Sequence, residues 1–329
     1  MKTCKLGQTD ITVSVVALGC WAFAGGRVWG PQDEAESIAT VRAALDAGVN
    51  FFDTAEGYGD GDSEAVLGRA LAGRRHEAVI ATKVNRSHLS GDEVREACEH
   101  SLRRLQTDTI DLYQIHWPSR TVPLDETMEA LEKLREQGKV RAIGVCNFGV
   151  GDLSDLFKAG RSETNQLPYS LLWRAVEYQI RPQCVDEKIG ILCYSPLAQG
   201  LLTGKFGSPD EVPAGRARTR HFSKARPQVR HGEAGCEAET FAAIERIRHT
   251  CDEMHRPMAQ VALAWLLHQP GVTAVIAGAR RPDQIRQTAQ AADLELSPET
   301  LGELTEATEP LKRILGPNPD MWQSESRLR

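Results

Sequence analysis

Apolar positions along the chain gather into eight short runs: VSVVALGC (13–20), VNFFDT (49–54), AVIATKV (78–84), IDLYQIHW (110–117), VRAIGVCNF (140–148), TNQLPYS (164–170), IGILCYSPL (189–197) and VTAVIAGA (272–279). Most are nearly continuous in apolarity, which is the pattern of strands buried on both faces. Between them the period changes to that of an amphipathic helix. Residues 33–48 close on Gly48, residues 91–106 run from acidic to basic, and residues 123–139 close near Gly138. Two helical stretches, 239–255 and 258–270, precede the eighth run; 281–293 follows it, and 297–311 lies near the C-terminus.

Strands alternating with helices predict parallel pairing, and eight repeats in 329 residues predict a closed (β/α)8 TIM barrel over 1–329 as a single domain. The rival is an open doubly wound sheet. That architecture usually shows GxGxxG after its first strand, whereas this chain has ALGCWAFAGG, and no linker divides it. One segment after the seventh strand breaks the rhythm. Residues 200–237 are rich in Gly, Pro and Arg, and carry Arg216, Arg218, Arg220, Lys224, Arg226 and Arg230. Two readings stand: a mobile basic loop, or a lid over an anionic cofactor that slows its release.

Composition narrows the function classes. Apolar residues make up 41% and charged residues 26%, as in globular proteins, and the net charge of −6 argues against general nucleic-acid binding. No apolar stretch is long enough to span a membrane, and MKTCKLGQTD lacks a signal-peptide core, so a cytoplasmic location is expected. The eight cysteines form no CxxC and are read as reduced thiols; the nine histidines show no zinc spacing, so no metal is expected.

In a parallel barrel the active site lies at the carboxyl ends of the strands. There the runs end on Asp53, with Tyr58 in the glycine-rich loop just beyond, on Lys83 and on His116. Each alone has an ordinary reading as a cap, a snorkelling lysine, a packed histidine or a surface tyrosine. Together, on three consecutive strands, they suit proton transfer: Asp53 pairs with Lys83, and Lys83 lowers the pKa of Tyr58 from near ~10 towards that of a usable acid. His116 orients a carbonyl oxygen or helps relay the proton. Carbonyl reduction also needs a hydride that no side chain supplies, so a nicotinamide is required.

The motifs FFDTAEGYG, ATKV, DLYQIHWP, GKVRAIGVCNF, YSPLAQGLLTGK and GARRPDQI occur in one order over residues 5–295. In this the chain resembles the aldo-keto reductase superfamily, near its bacterial general-stress-protein and potassium-channel β-subunit branches. The resemblance implies a catalytic tetrad of Asp53, Tyr58, Lys83 and His116, and NADP(H) bound without a Rossmann domain. It implies cofactor contacts at Asn147, Gln166, Tyr194, Ser195, Leu197, Gly200, Lys205, Gly278, Arg280, Gln284 and Gln287. Cys146 stands where the family has serine, and a thiol is the weaker donor. Arg280 and Arg281 open a predicted helix, where cations are disfavoured unless an anion answers them; a 2′-phosphate would do so. Trp21 and Trp117, with Trp322 as a further candidate, are expected to wall a pocket for a small carbonyl compound.

The leading expectation is an NADP(H)-dependent reductase of aldehydes or ketones, as a monomer or homo-oligomer without nucleic-acid or membrane partners. The alternatives are a slow-turnover cofactor-binding sensor subunit, and a Schiff-base aldolase using Lys83.

Overall fold

Eight parallel strands close on themselves in the computed structural model, which describes residues 1–329 apart from the side chain of Arg27. They are β3 (Val16–Gly19), β4 (Phe51–Asp53), β5 (Val79–Val84), β6 (Ile110–Ile115), β7 (Val140–Cys146), β8 (Thr164–Pro168), β9 (Gly190–Tyr194) and β10 (Val272–Gly278). Each pairs with its neighbour in chain order, and β10 returns to β3. The barrel expected from the periodicity is therefore borne out.

The first apolar run required a correction. Residues 13–20 are not one strand. Val13 belongs to an antiparallel hairpin, β1 (Thr3–Lys5) with β2 (Thr12–Ser14), and the barrel strand starts at Val16. Apolarity hid the break because both halves are buried: Val13 of the hairpin and Ala17 of the barrel strand join the same interior core although they belong to different sheets. Val13 joins the core inside the barrel, whereas Val16 joins the core between barrel and helices. Leu6, Ile11 and Val13 of the hairpin segment thus close the barrel floor against Ala17, Phe51, Ala81 and Leu112. Three crossover helices, Asp62–Ala70, Val150–Ala159 and Ile180–Asp186, were also not marked by the sequence pattern. They are short, so few positions carry the periodic signal.

The strand period of two explains how an apolar pair leads into a carboxylate. Phe51 points into the floor, Phe52 packs on the helix side, and Asp53 returns to the interior one level higher. The same step of two carries β5 from Ala81 to Lys83 and β6 from Leu112 to Gln114. A polar layer therefore rests on an apolar one. Gly144 makes room for it: a Cβ there would lie 2.7 Å from Thr164 Oγ1 and 2.8 Å from Gln114 Cγ.

Much of the 200–237 segment is packed against the body. Phe206, Val212, Ala217 and Phe222 are buried. Arg220 is buried too; its Nε lies 2.8 and 3.0 Å from the two carboxylate oxygens of Glu233, and its terminal nitrogens donate to the carbonyls of Asn318 and Leu315. Among the described residues no helix is long and apolar enough to cross a membrane.

Because Phe51 is fully buried in the floor, Phe51→Ala is expected to cost about 3–5 kcal/mol. A fall in the urea midpoint checks this.

Candidate active site

Lys83 is completely buried, and its ammonium uses three acceptors. Nζ lies 2.6 Å from Asp53 Oδ1, 2.7 Å from the Thr54 carbonyl and 3.2 Å from Tyr58 Oη. The other Asp53 oxygen accepts from Gln166 Nε2 at 2.7 Å and from Gln114 Nε2 at 3.4 Å. A buried ion pair is tolerable only when its remaining lone pairs and protons are met in this way. Gln166, expected at a cofactor carboxamide, here commits its amide nitrogen to Asp53.

The glycine-rich loop bends Tyr58 back over this pair. Gly59, Asp60 and Gly61 take φ of 63°, 52° and 98° in succession, a left-handed run that two glycines make inexpensive. The loop is pinned below, where Thr54 Oγ1 donates to Ser63 Oγ and Ser63 Oγ donates to the Cys20 carbonyl. Trp21 stacks on the phenol ring with centroids 5.8 Å apart, and His116 meets it edge-on at 5.7 Å.

The electrostatics correct one expectation. Burial pushes the Tyr58 phenol up to about 12, and Lys83 only partly opposes it. The resting phenol is therefore firmly protonated, where the sequence reading had its pKa lowered. Burial also works against the Lys83 ammonium, but Asp53 and then Tyr58 outweigh it, holding its pKa above the usual lysine range. His116 is driven down to about 3, first by burial and then by the Lys83 charge, so its ring is neutral.

Around this cluster lie the other expected positions. Asn147 follows β7 with a left-handed φ of 61°; its Nδ2 donates to the His116 carbonyl at 3.1 Å, and its Oδ1 accepts from Tyr194 Oη at 2.9 Å. Cys146 Sγ lies 3.6 Å from Gln114 Oε1, and burial raises its thiol pKa, so it stays a neutral thiol. Trp117 lies at the rim under the Arg327 guanidinium, 3.9 Å from its ring centre.

After β9 the backbone turns left-handed at Ser195, Ala198, Gln199 and Gly200, with φ of 49°, 46°, 58° and 94°. Such successive turns form concavities that favour anions. Leu197 lies within the turn and is partly buried. Gln199 Oε1 is buried without a partner among the described residues. A Cβ on Gly200 would sit 3.4 Å from Lys205 Nζ and 3.5 Å from Arg216 Nη1, so the missing side chain leaves a cradle beside two cations. The pKa values of both cations are depressed by burial and by a neighbouring positive charge, and no acid offsets this.

Arg280 completes the rim. Its guanidinium donates only to neutral acceptors: Gln32 Oε1 at 2.6 Å, the Trp29 carbonyl at 2.7 Å and the Pro31 carbonyl. Gln284 Oε1 accepts from the Arg280 backbone N–H at 2.8 Å, and Arg281 pairs with Asp283. Gln287 and Gly278 are exposed, Gly278 at the end of β10. Lys205, Arg216 and Arg280, which have no carboxylate partner among the described residues, together with the Gly200 cradle, fit the phosphates of a dinucleotide. Sequence reasoning missed Trp29, Gln32, Thr54, Gln114 and Gln199. Only Gln114 had a readable signal, lying two positions before His116 on the inward face.

A parallel barrel that presents a lysine-bound phenol at its carboxyl mouth, beside an unanswered cationic rim, has the layout of an oxidoreductase for small molecules. Residues 15–309 match the sequence model of the Aldo/keto reductase family. Aldo-keto reductase YhdN of Bacillus subtilis is 35% identical over 310 residues, covering 91% of each chain. The NADH-specific methylglyoxal reductase of Escherichia coli is 33% identical over 95% of this chain and 100% of its own. An aldo-keto reductase from Klebsiella pneumoniae solved with NADPH superposes with a TM-score of 0.75 at 31% identity, covering 100% of this chain and 98% of that one. The chain belongs to the aldo/keto reductase family.

The depressed pKa of His116 has a consequence for stability. Its unfolded value is near ~6.5, so between about 6.5 and 3 the unfolded chain binds a proton that the folded chain refuses. The His116 contribution to stability is present above that window and is lost as pH falls through it. The stability gap between wild type and His116→Asn should therefore shift against wild type from pH 7.5 to 4.5. Urea midpoints across that range check this; a pH-independent gap would contradict a neutral imidazole.

Proposed function

We propose that this chain reduces an aldehyde or ketone to an alcohol, with Tyr58 as proton donor and NADP(H) as the preferred cofactor. The observation that carries the reading is Lys83 Nζ at 2.6 Å from Asp53 and 3.2 Å from the Tyr58 hydroxyl. Bound nicotinamide supplies the hydride. As the carbonyl oxygen gains negative charge, Tyr58 gives it the phenolic proton. The Lys83 ammonium, held by Asp53, stabilises the phenolate left behind. Its effect is thus felt most in the transition state, which is where an interaction accelerates a reaction. A phenol titrating at about 12 stays loaded with its proton at neutral pH. Neutral His116 serves as a hydrogen-bond donor to the carbonyl oxygen, with Trp21 and Trp117 as pocket walls.

The aldolase alternative is disfavoured by the same geometry. A Schiff base starts from a neutral amine, whereas Asp53 keeps Lys83 charged and its N–H groups are engaged. Cofactor choice is not settled by family membership, since a 33% identical relative is described as NADH-specific. The preference for NADP(H) rests on Arg280, a guanidinium with no acidic partner among the described residues, whose charge a 2′-phosphate would answer.

Tyr58→Phe is expected to lower kcat about 100-fold or more in an aldehyde-dependent NADPH oxidation assay, with NADPH affinity retained; near-native turnover would remove Tyr58 as the acid. Arg280→Ala is expected to weaken NADPH binding about tenfold or more and to leave NADH affinity nearly unchanged. Fluorescence titration of both cofactors measures this, and an unaltered ratio would refute the assignment.

A further inference from the structure

Arg218 has no task in the proton-transfer and cofactor assignments above. Its guanidinium carbon lies 4.7 Å from the centre of the Trp322 ring and 5.7 Å from that of Trp21. Its Nε is buried and has no hydrogen-bond partner among the described residues. Burial and the nearby Arg230 both act against its charge, and no acid offsets them.

Its neighbours in sequence turn elsewhere. Arg216 lies over Trp29, 5.5 Å from the ring centre, beside Lys205 and Arg280. Arg220 is buried and paired with Glu233. Arg218 alone of the three faces Trp21, and Trp21 stacks directly on Tyr58. The cation therefore sits one aromatic layer from the reacting phenol. Stacking on aromatic faces holds a planar guanidinium in place and leaves its edge N–H groups free for a bidentate partner. The local charge is positive and unanswered, so that partner is an anion.

We propose that Arg218 recognises an anionic group, carboxylate or phosphate, carried by the carbonyl substrate a short carbon chain away from the carbon reduced beside Tyr58. This inference rests on the reductase reading of Tyr58 and names the substrate class for it.

Two matched pairs test it: butanal against 4-oxobutanoate, and glyceraldehyde against glyceraldehyde 3-phosphate, with wild type, Arg218→Gln and Arg218→Lys. In wild type, kcat/KM should favour the anionic member of at least one pair about tenfold or more. The pair that responds tells carboxylate from phosphate. Arg218→Gln should collapse that ratio, chiefly through KM, and Arg218→Lys should restore part of it. A wild-type ratio near one, or a ratio unchanged in Arg218→Gln, would overturn the proposal. So would a tenfold loss of NADPH affinity in Arg218→Gln, which would assign the arginine to the cofactor. If no aldehyde is reduced with either nicotinamide, the reductase reading fails, and calorimetry with 4-hydroxybutanoate and butanol then judges Arg218 separately. Selective binding of the anion that is lost in Arg218→Gln would sustain the proposal; anion binding that survives the substitution would end it.

Discussion

A lysine ammonium buried at the bottom of the barrel mouth sets the terms for everything around it. Lys83 and Asp53 have been taken out of water, and stranding either charge by removing its partner costs about 3–5 kcal/mol. The surroundings meet that demand. The Thr54 carbonyl and the Tyr58 hydroxyl take the remaining lysine donors, and two glutamine amides take the second carboxylate oxygen. Gly144 clears the volume that Gln114 needs, and the hairpin floor fills the layer beneath with apolar side chains. Tyr58 is thus a functional candidate and also a partner that the ion pair requires.

Two electrostatic regimes meet at this mouth. In the centre every charge is answered: ammonium by carboxylate, carboxylate by amides. At the rim, among the described residues, Lys205 lies over the Phe206 ring, Arg216 over Trp29, and Arg280 donates to neutral acceptors, with depressed pKa values for the first two. An answered pair rigidifies, whereas an unanswered cluster is poised for a ligand of opposite sign. The backbone follows the same division. Five of the nine non-glycine residues in left-handed conformation, Asp60, Asn147, Ser195, Ala198 and Gln199, lie on the loops at this mouth, where the surrounding packing has to hold them.

The pKa directions alter the picture of the acid. Proximity to an ammonium invites the conclusion that the phenol is already acidic at rest. Burial acts on the same group with opposite sign and prevails. The lysine favours the phenolate, which exists only after the proton has left, so its influence falls on the barrier and less on the resting state. Neutral His116 follows from the same low-dielectric pocket and the same nearby ammonium.

Much of this was legible in the chain. Eight apolar runs marked the barrel, and residues closing consecutive runs named Asp53, Lys83 and His116, because a period of two converts strand position directly into facing. The hairpin floor escaped because apolarity at Val13 and Val16 looks the same whichever side each one buries. Sequence periodicity determined which strands exist and which residues stand at their ends. Only the tertiary structure decided that Gln166 and Gln114 serve Asp53, that Arg218, Trp21 and Trp322 stack, and that burial outweighs Lys83 at Tyr58. Those outcomes depend on distances between segments far apart in the chain and on how much water each group loses, neither of which local pattern encodes.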